Sequence, residues 1–180
     1  MPVFVWDMVQ EGKKKVTYCY KCGTKLFPKE LEGEGMIPWC EGCGEYRFPI
    51  FSTAVSIIVY SPQKDRILLI RQYGRPFNIL VAGYINKGES AEHTVERELM
   101  EEIGLKAENI HFNRSSYFEP SNTLMLNFSC TADSDDLSGL NKREVDHAEW
   151  YTPDEARRAI KPESLAQFFL IQALKCKPGF

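Results

Sequence analysis

The stretch that decides the fold runs Gly83-Tyr84-Ile85-Asn86-Lys87-Gly88-Glu89-Ser90-Ala91-Glu92-His93-Thr94-Val95-Glu96-Arg97-Glu98-Leu99-Met100-Glu101-Glu102-Ile103-Gly104-Leu105. Ser90 is a good N-cap, Glu92 lies in the first turn and Gly104 is placed to terminate, so the pattern predicts a helix from about Ala91 to Ile103. At roughly 100° per residue, Glu98, Glu101 and Glu102 share one arc of that helix. Val95, Leu99 and Ile103, spaced four apart, form the adjoining apolar stripe that would pin it to a sheet. Carboxylates at i, i+3 and i+4 repel one another unless positive charge sits among them. Arg97, one turn before Glu101, supplies part of it. Hard cations supply the rest most simply, because an all-oxygen set suits Mg²⁺ or Mn²⁺. Taken alone, the same carboxylates also read as a solvated acidic face.

Working outward, Ala54 to Tyr60 is a β-branched run ending at the turn signal Ser61-Pro62, and Arg66 to Arg71 is a second strand. The two are expected to pair as a hairpin across Pro62 to Asp65. Ile79-Leu80-Val81-Ala82 is a short apolar run expected to stop at Gly83. Further strands are expected at 109–118, 123–131 and 146–151, and helices at about 153–160 and 163–175 with Pro162 between them. Strands flanking one helix, then a strand and terminal helices, indicate an α/β layered fold with a mixed sheet.

The central stretch also resembles, letter for letter, the Nudix box G-x5-E-x7-R-E-U-x-E-E-x-G-U, in which U is apolar. Gly83, Glu89, Arg97, Glu98, Leu99, Glu101, Glu102, Gly104 and Leu105 meet its nine specified positions. The resemblance implies an α-β-α sandwich and divalent-metal-dependent pyrophosphate hydrolysis. By it, Glu98, Glu101 and Glu102 are metal ligands, the Gly83 carbonyl is a further one, and Arg97 and Glu89 orient the cluster, Glu89 alternatively taking part in water activation. Metal ions on the phosphate oxygens neutralise charge that would repel hydroxide and make a bound water more acidic. A carboxylate then takes the proton of the attacking water, with Glu101 or Glu102 the base.

Residues 1–48 have a different texture, rich in Gly, Lys, Glu and Cys, and too poor in apolar residues to bury a core unaided. Cys19/Cys22 and Cys40/Cys43 are C-x-x-C pairs separated by 17 residues, the spacing of a tetrahedral Cys₄ zinc site. The glycine after each pair suits a tight turn around sulfur. With no ligand position left open, the Zn²⁺ would be structural and would contribute folding free energy directly. The division is therefore a zinc ribbon at 1–48 and a catalytic domain at 49–180. Seven Lys/Arg balance seven Asp/Glu in residues 1–48, and only Lys13-Lys14-Lys15 forms a local positive run, read as a solvated loop. The whole chain's net charge of −3 gives no general attraction to nucleic acid or to anionic membrane. No run of 18 apolar residues is present, and Met1 to Asp7 lacks the features of a secretory signal, so a cytoplasmic protein is expected. Cys130 reads as core, Cys176 as a lone cysteine, and His93, His111 and His147 as local side chains.

A Cys₄ ribbon before this box resembles the NADH pyrophosphatase branch of the family. By that likeness Glu144 is a late metal-reaching glutamate, Phe48 stacks on a substrate ring, and Ala166 lies on a late helix that approaches the substrate. Homodimerisation is implied in the same way. The branch carries S-Q-P-W-P-F-P beyond the box, where this chain has Ser115-Ser116-Tyr117-Phe118-Glu119-Pro120-Ser121. Tyr117 and Phe118 keep aromatic character there, but the Gln and Trp are gone. The expected substrate is a small nucleotide, NADH or NAD⁺ split to NMN(H) and AMP, with ADP-ribose or another nucleotide sugar the competitor. A nucleotide-sensing protein would be expected to lose the glutamates. An RNA-directed enzyme would use the same chemistry but call for a basic channel.

Overall fold

The computed structural model describes residues 17–175, so the readings of Met1 to Asp7, Lys13–Lys15 and Cys176 lie outside the described residues. The chain divides into two compact units, the break falling between Ile50 and Phe51.

In the first unit, β1 (Phe27–Leu31), β2 (Gly35–Cys40) and β3 (Glu45–Tyr46) form an antiparallel sheet in chain order. Its apolar content explains why it needs a staple. Among the described residues of this unit, Ile37 is the only buried apolar side chain besides Cys19 and Cys40. The aromatic residues pack at the surface instead: Trp39 meets Tyr46 edge-on at 4.8 Å, and the Lys29 ammonium lies 3.6 Å from the Trp39 ring centroid.

In the second unit, six strands make one mixed sheet: β4 (Ser52–Tyr60), β5 (Ile67–Gln72), β6 (Val81–Tyr84), β7 (Ala107–Phe118), β8 (Thr123–Ala132) and β9 (Val145–Tyr151). The order is β7-β8-β4-β5-β9, with β6 also paired to β4. β4 and β8 run parallel over nine residue pairs and the other pairings are antiparallel. β4 is buried on both sides of its pleat, so its side chains feed two cores. Val55, Ile57 and Val59 join Val95, Leu99 and Ile103 of α1 (Ala91–Ile103). Ile58 and Tyr60 face α2 (Pro153–Ala159) and α3 (Leu165–Lys175), with Phe169 and Leu170 fully covered. Helix, sheet and helix are thus the three layers implied by the sequence.

Two local expectations are corrected. The hairpin of β4 and β5 pairs only at its tip, Tyr60 with Ile67, because β4 gives the rest of its edges to β6 and β8. The apolar run before the box does not stop at Gly83; β6 continues through it to Tyr84, since Gly83 pairs with Val55. Cys130 is buried, as its strand pattern suggested. His93 and His147 each lie near a glutamate, Glu96 and Glu149, on their own elements. Among the described residues, no helix is long and apolar enough to cross a membrane.

Candidate active site

The helix bearing the carboxylates begins and ends as its sequence dictates. The Ser90 hydroxyl accepts the His93 amide hydrogen, and Gly104, at φ 80°, closes the last turn through Leu99 and Met100 carbonyls. The Val95/Leu99/Ile103 stripe fixes the rotation about the helix axis, and that places the glutamates beside the end of β6.

Arg97 organises them. Its Nε and one terminal nitrogen hold both oxygens of Glu89, at 2.7 and 3.1 Å. The other terminal nitrogen donates to Glu98 at 2.8 Å and to Glu101 at 3.0 Å, and a fifth bond reaches the Tyr84 carbonyl at 3.1 Å. All five guanidinium N–H donors are engaged, a load no lysine could carry. The Arg97 guanidinium, helped by the Asn86 amide, holds the Glu89 carboxyl down at about 2.

Glu98 and Glu102 behave in the opposite way. Burial pushes both upward, Glu102 to about 7, and the neighbouring carboxylates, Glu144 among them, push further. Gln72, at the end of β5, donates to Glu102 Oε1 at 2.6 Å, but Glu102 Oε2 is buried without a partner. Gly83 is the floor of this arrangement: a Cβ there would lie 1.9 Å from the Glu98 carboxyl. An orphaned buried oxygen, stacked carboxylates and a backbone cradled against them fit a divalent cation held by hard oxygen ligands.

These groups open into a cleft of about 650 Å³. Gly83, Arg97, Glu98, Glu102, Glu144 and Phe118 all line it. Glu101 is not part of that lining; it is exposed and held by Arg97. Tyr117 is exposed, bonds Asn122 at 2.5 Å and lies edge-on to Phe51, whereas Phe118, on the other face of β7, meets the cleft. Ala166 packs against the second core, and its neighbour Leu165 is the residue that reaches the cleft. Phe48 belongs to the first unit and is exposed there. Sequence reasoning missed Gln72, Tyr73 and Arg75, all of which line the cleft; the turn-forming Gly74 and Pro76 after a strand were the available signal.

The cysteines form a second centre. Cys22 and Cys40 sulfurs lie 3.4 Å apart and those of Cys19 and Cys43 3.9 Å apart, and all four fall within 4.8 Å of one another. A tetrahedral site with Zn–S of about 2.3 Å needs S···S distances near 3.8 Å, so the set fits zinc. Gly23 and Gly44, at φ 72° and 67°, each return an amide hydrogen to the first cysteine of their pair, at 2.8 Å. The nearly buried Arg47 donates from Nε to Cys19 at 3.1 Å and holds Glu45 at 2.7 Å. Burial pushes the Cys19 thiol up, but Arg47 and the amides of Lys21 and Cys22 outweigh it and leave it at about 6. Among the described residues, only these four side chains bring potential ligand atoms together so closely.

The NUDIX domain model matches residues 51–170, and the chain belongs to the Nudix family. It is 33% identical over 152 residues to Nudix hydrolase 19, chloroplastic, of Arabidopsis thaliana, a match covering 79% of this chain and 34% of that protein. Against the NAD-capped RNA hydrolase NudC of Shigella flexneri it is 29% identical over 153 residues, covering 83% and 57%. The chain thus spans between a third and somewhat over half of these curated relatives. Among solved structures, a Nudix hydrolase from Nitrosomonas europaea superposes with a TM-score of 0.59 at 19% identity, covering 70% of this chain and 90% of that one, a likeness of fold.

Proposed function

We propose that this chain hydrolyses a pyrophosphate bond in a nucleoside-diphosphate-linked compound, splitting NADH or NAD⁺ into NMN(H) and AMP. The buried, unpartnered oxygen of Glu102, a residue that lines the same cleft as Glu98 and Glu144, carries this reading. Those three glutamates, with Glu101 and the Gly83 carbonyl, are the groups that would hold Mg²⁺ or Mn²⁺. The bound ions would supply charge neutralisation on the diphosphate and a more acidic water. Arg97, fixed by Glu89, sets the spacing of Glu98 and Glu101. Glu101 or Glu102 takes the proton from the attacking water. Zn²⁺ on Cys19, Cys22, Cys40 and Cys43 holds the first unit together and takes no part in the reaction. The relatives named as NAD-capped RNA hydrolases support a dinucleotide substrate, and the chain's resemblance to its branch supports a homodimer.

A second reading, ADP-ribose or another nucleotide sugar, draws on residues 115–121. After β7 the chain turns through a short 3₁₀ segment, Glu119–Ser121, and Phe118 is the one aromatic of that stretch on the cleft. Product analysis with Mg²⁺ or Mn²⁺ and NADH, NAD⁺, ADP-ribose and FAD in parallel decides between them. AMP plus NMNH well ahead of other products supports the first reading; preference for ADP-ribose supports the second. Absence of metal-dependent turnover across the panel would overturn both.

A further inference from the structure

Resting on that reading of the cleft, we propose that the turn Gln72–Arg75 is its substrate-reading element, with Arg75 taking a phosphate of the substrate and Tyr73 walling the same space. The charge of the cleft calls for such a group. Glu98, Glu102 and Glu144 make its lining acidic, and the other lining cation, Arg97, has every donor engaged by protein acceptors. Arg75 lines the cleft, is exposed, and its guanidinium has no hydrogen bond or ion pair within the described residues. A planar guanidinium with free donors is suited to two phosphate oxygens at once.

The turn that carries Arg75 is held by its backbone. Tyr73 and Gly74 take successive positive φ angles of 55° and 67°, and the Arg75 amide donates to the Gln72 carbonyl at 3.1 Å, the pattern of a type I′ turn. Asp146 accepts the Gly74 amide hydrogen at 2.7 Å, tying the turn to the start of β9. Pro76 restricts Arg75 to extended backbone. The turn is thus anchored at Gln72, which holds Glu102, and at Asp146, two residues past Glu144.

Tyr73 is the second, independent observation. A left-handed position of a type I′ turn favours Gly, Asn or Asp, and an aromatic residue there is strained. Its ring is two-thirds exposed, so burial does not offset the strain. The side chain's place on the cleft gives the residue a use that its backbone does not.

The test uses the full chain with whichever substrate of the panel it turns over. Arg75→Ala is expected to raise KM about tenfold or more while kcat stays within about twofold, and Arg75→Lys to fall between. By calorimetry without added Mg²⁺ or Mn²⁺, the wild type should bind AMP more tightly than adenosine, and Arg75→Ala should erase that difference. Tyr73→Gly should raise KM with an unchanged or higher Tm, whereas a merely structural Tyr73 would lower Tm. Unchanged KM and an unchanged AMP-to-adenosine preference in Arg75→Ala would overturn the proposal. A wild type inactive on every compound would instead overturn the function proposed above, and the AMP and adenosine comparison would still decide the role of Arg75.

Discussion

The cysteine centre gathers four thiols and helix α1 presents Glu98, Glu101 and Glu102, yet the protein holds the two sets by opposite means. The four sulfurs already converge within 4.8 Å, in a unit with almost no apolar interior. The glutamates sit on a helix anchored by Val95, Leu99 and Ile103, each fully buried, and Arg97 and Gln72 hold their carboxylates. In the first region the sulfurs are the core. In the second the core exists without the carboxylates, so these are free to serve chemistry. A domain can carry a poorly neutralised acidic site only if its stability comes from elsewhere, and here it comes from two apolar layers on one sheet.

The comparison can be broken most forcefully by stripping the Zn²⁺ proposed on the four thiols. Binding at such sites contributes about 10–16 kcal/mol to folding. Chelation, or Cys22→Ser, should therefore unfold the first unit and abolish its calorimetric peak, while the second keeps its own thermal transition. Loss of both transitions together would show that the second unit leans on the first. The next largest effect concerns the other region: Glu101→Gln should lower kcat by about 10²–10⁴-fold, the span for a lost general base or equivalent group, with Tm almost unmoved. Gln72→Ala frees Glu102 from its buried hydrogen bond and should weaken Mg²⁺ or Mn²⁺ activation by about tenfold, as loss of a supporting partner does, read from the metal-dependence of the rate.

The smallest effect lies in acid. Glu89 titrates at about 2 in the folded chain and near about 4.3 when unfolded, so its stabilising contribution is complete above the unfolded value and lost as pH falls towards 2. Between those limits wild-type Tm should fall more steeply with pH than that of Glu89→Gln. Parallel curves would show that the pair with Arg97 adds nothing to stability.

The sequence made this contrast legible to an uneven degree. Helix α1 was readable almost to the residue, because Ser90, the apolar stripe and Gly104 all act locally. The paired cysteines were readable because spacing alone determines which sulfurs can meet. The long parallel pairing of β4 with β8 was not, since it joins residues some 70 positions apart and leaves no local trace beyond a doubly buried strand. The same limit applies within the site. Helix geometry placed Arg97 beside Glu101, and only the family resemblance paired it with Glu89, because its grip on both oxygens of Glu89 depends on the path of the loop before the helix. Gln72 and Arg75 went unread because nothing in a strand-ending turn says which cleft it borders.

Gly83 carries one more lesson. Its φ is not in the left-handed region, so the backbone there would accept any ordinary residue, and the Glu98 side chain is what a Cβ would meet first. Gly104 is the reverse, a glycine chosen for its left-handed turn at φ 80°. Position 83 is therefore coupled to the acidic site. Alanine there would force the Glu98 carboxyl away from its place on Arg97, so the geometry of that carboxylate depends on the absence of a single methyl group.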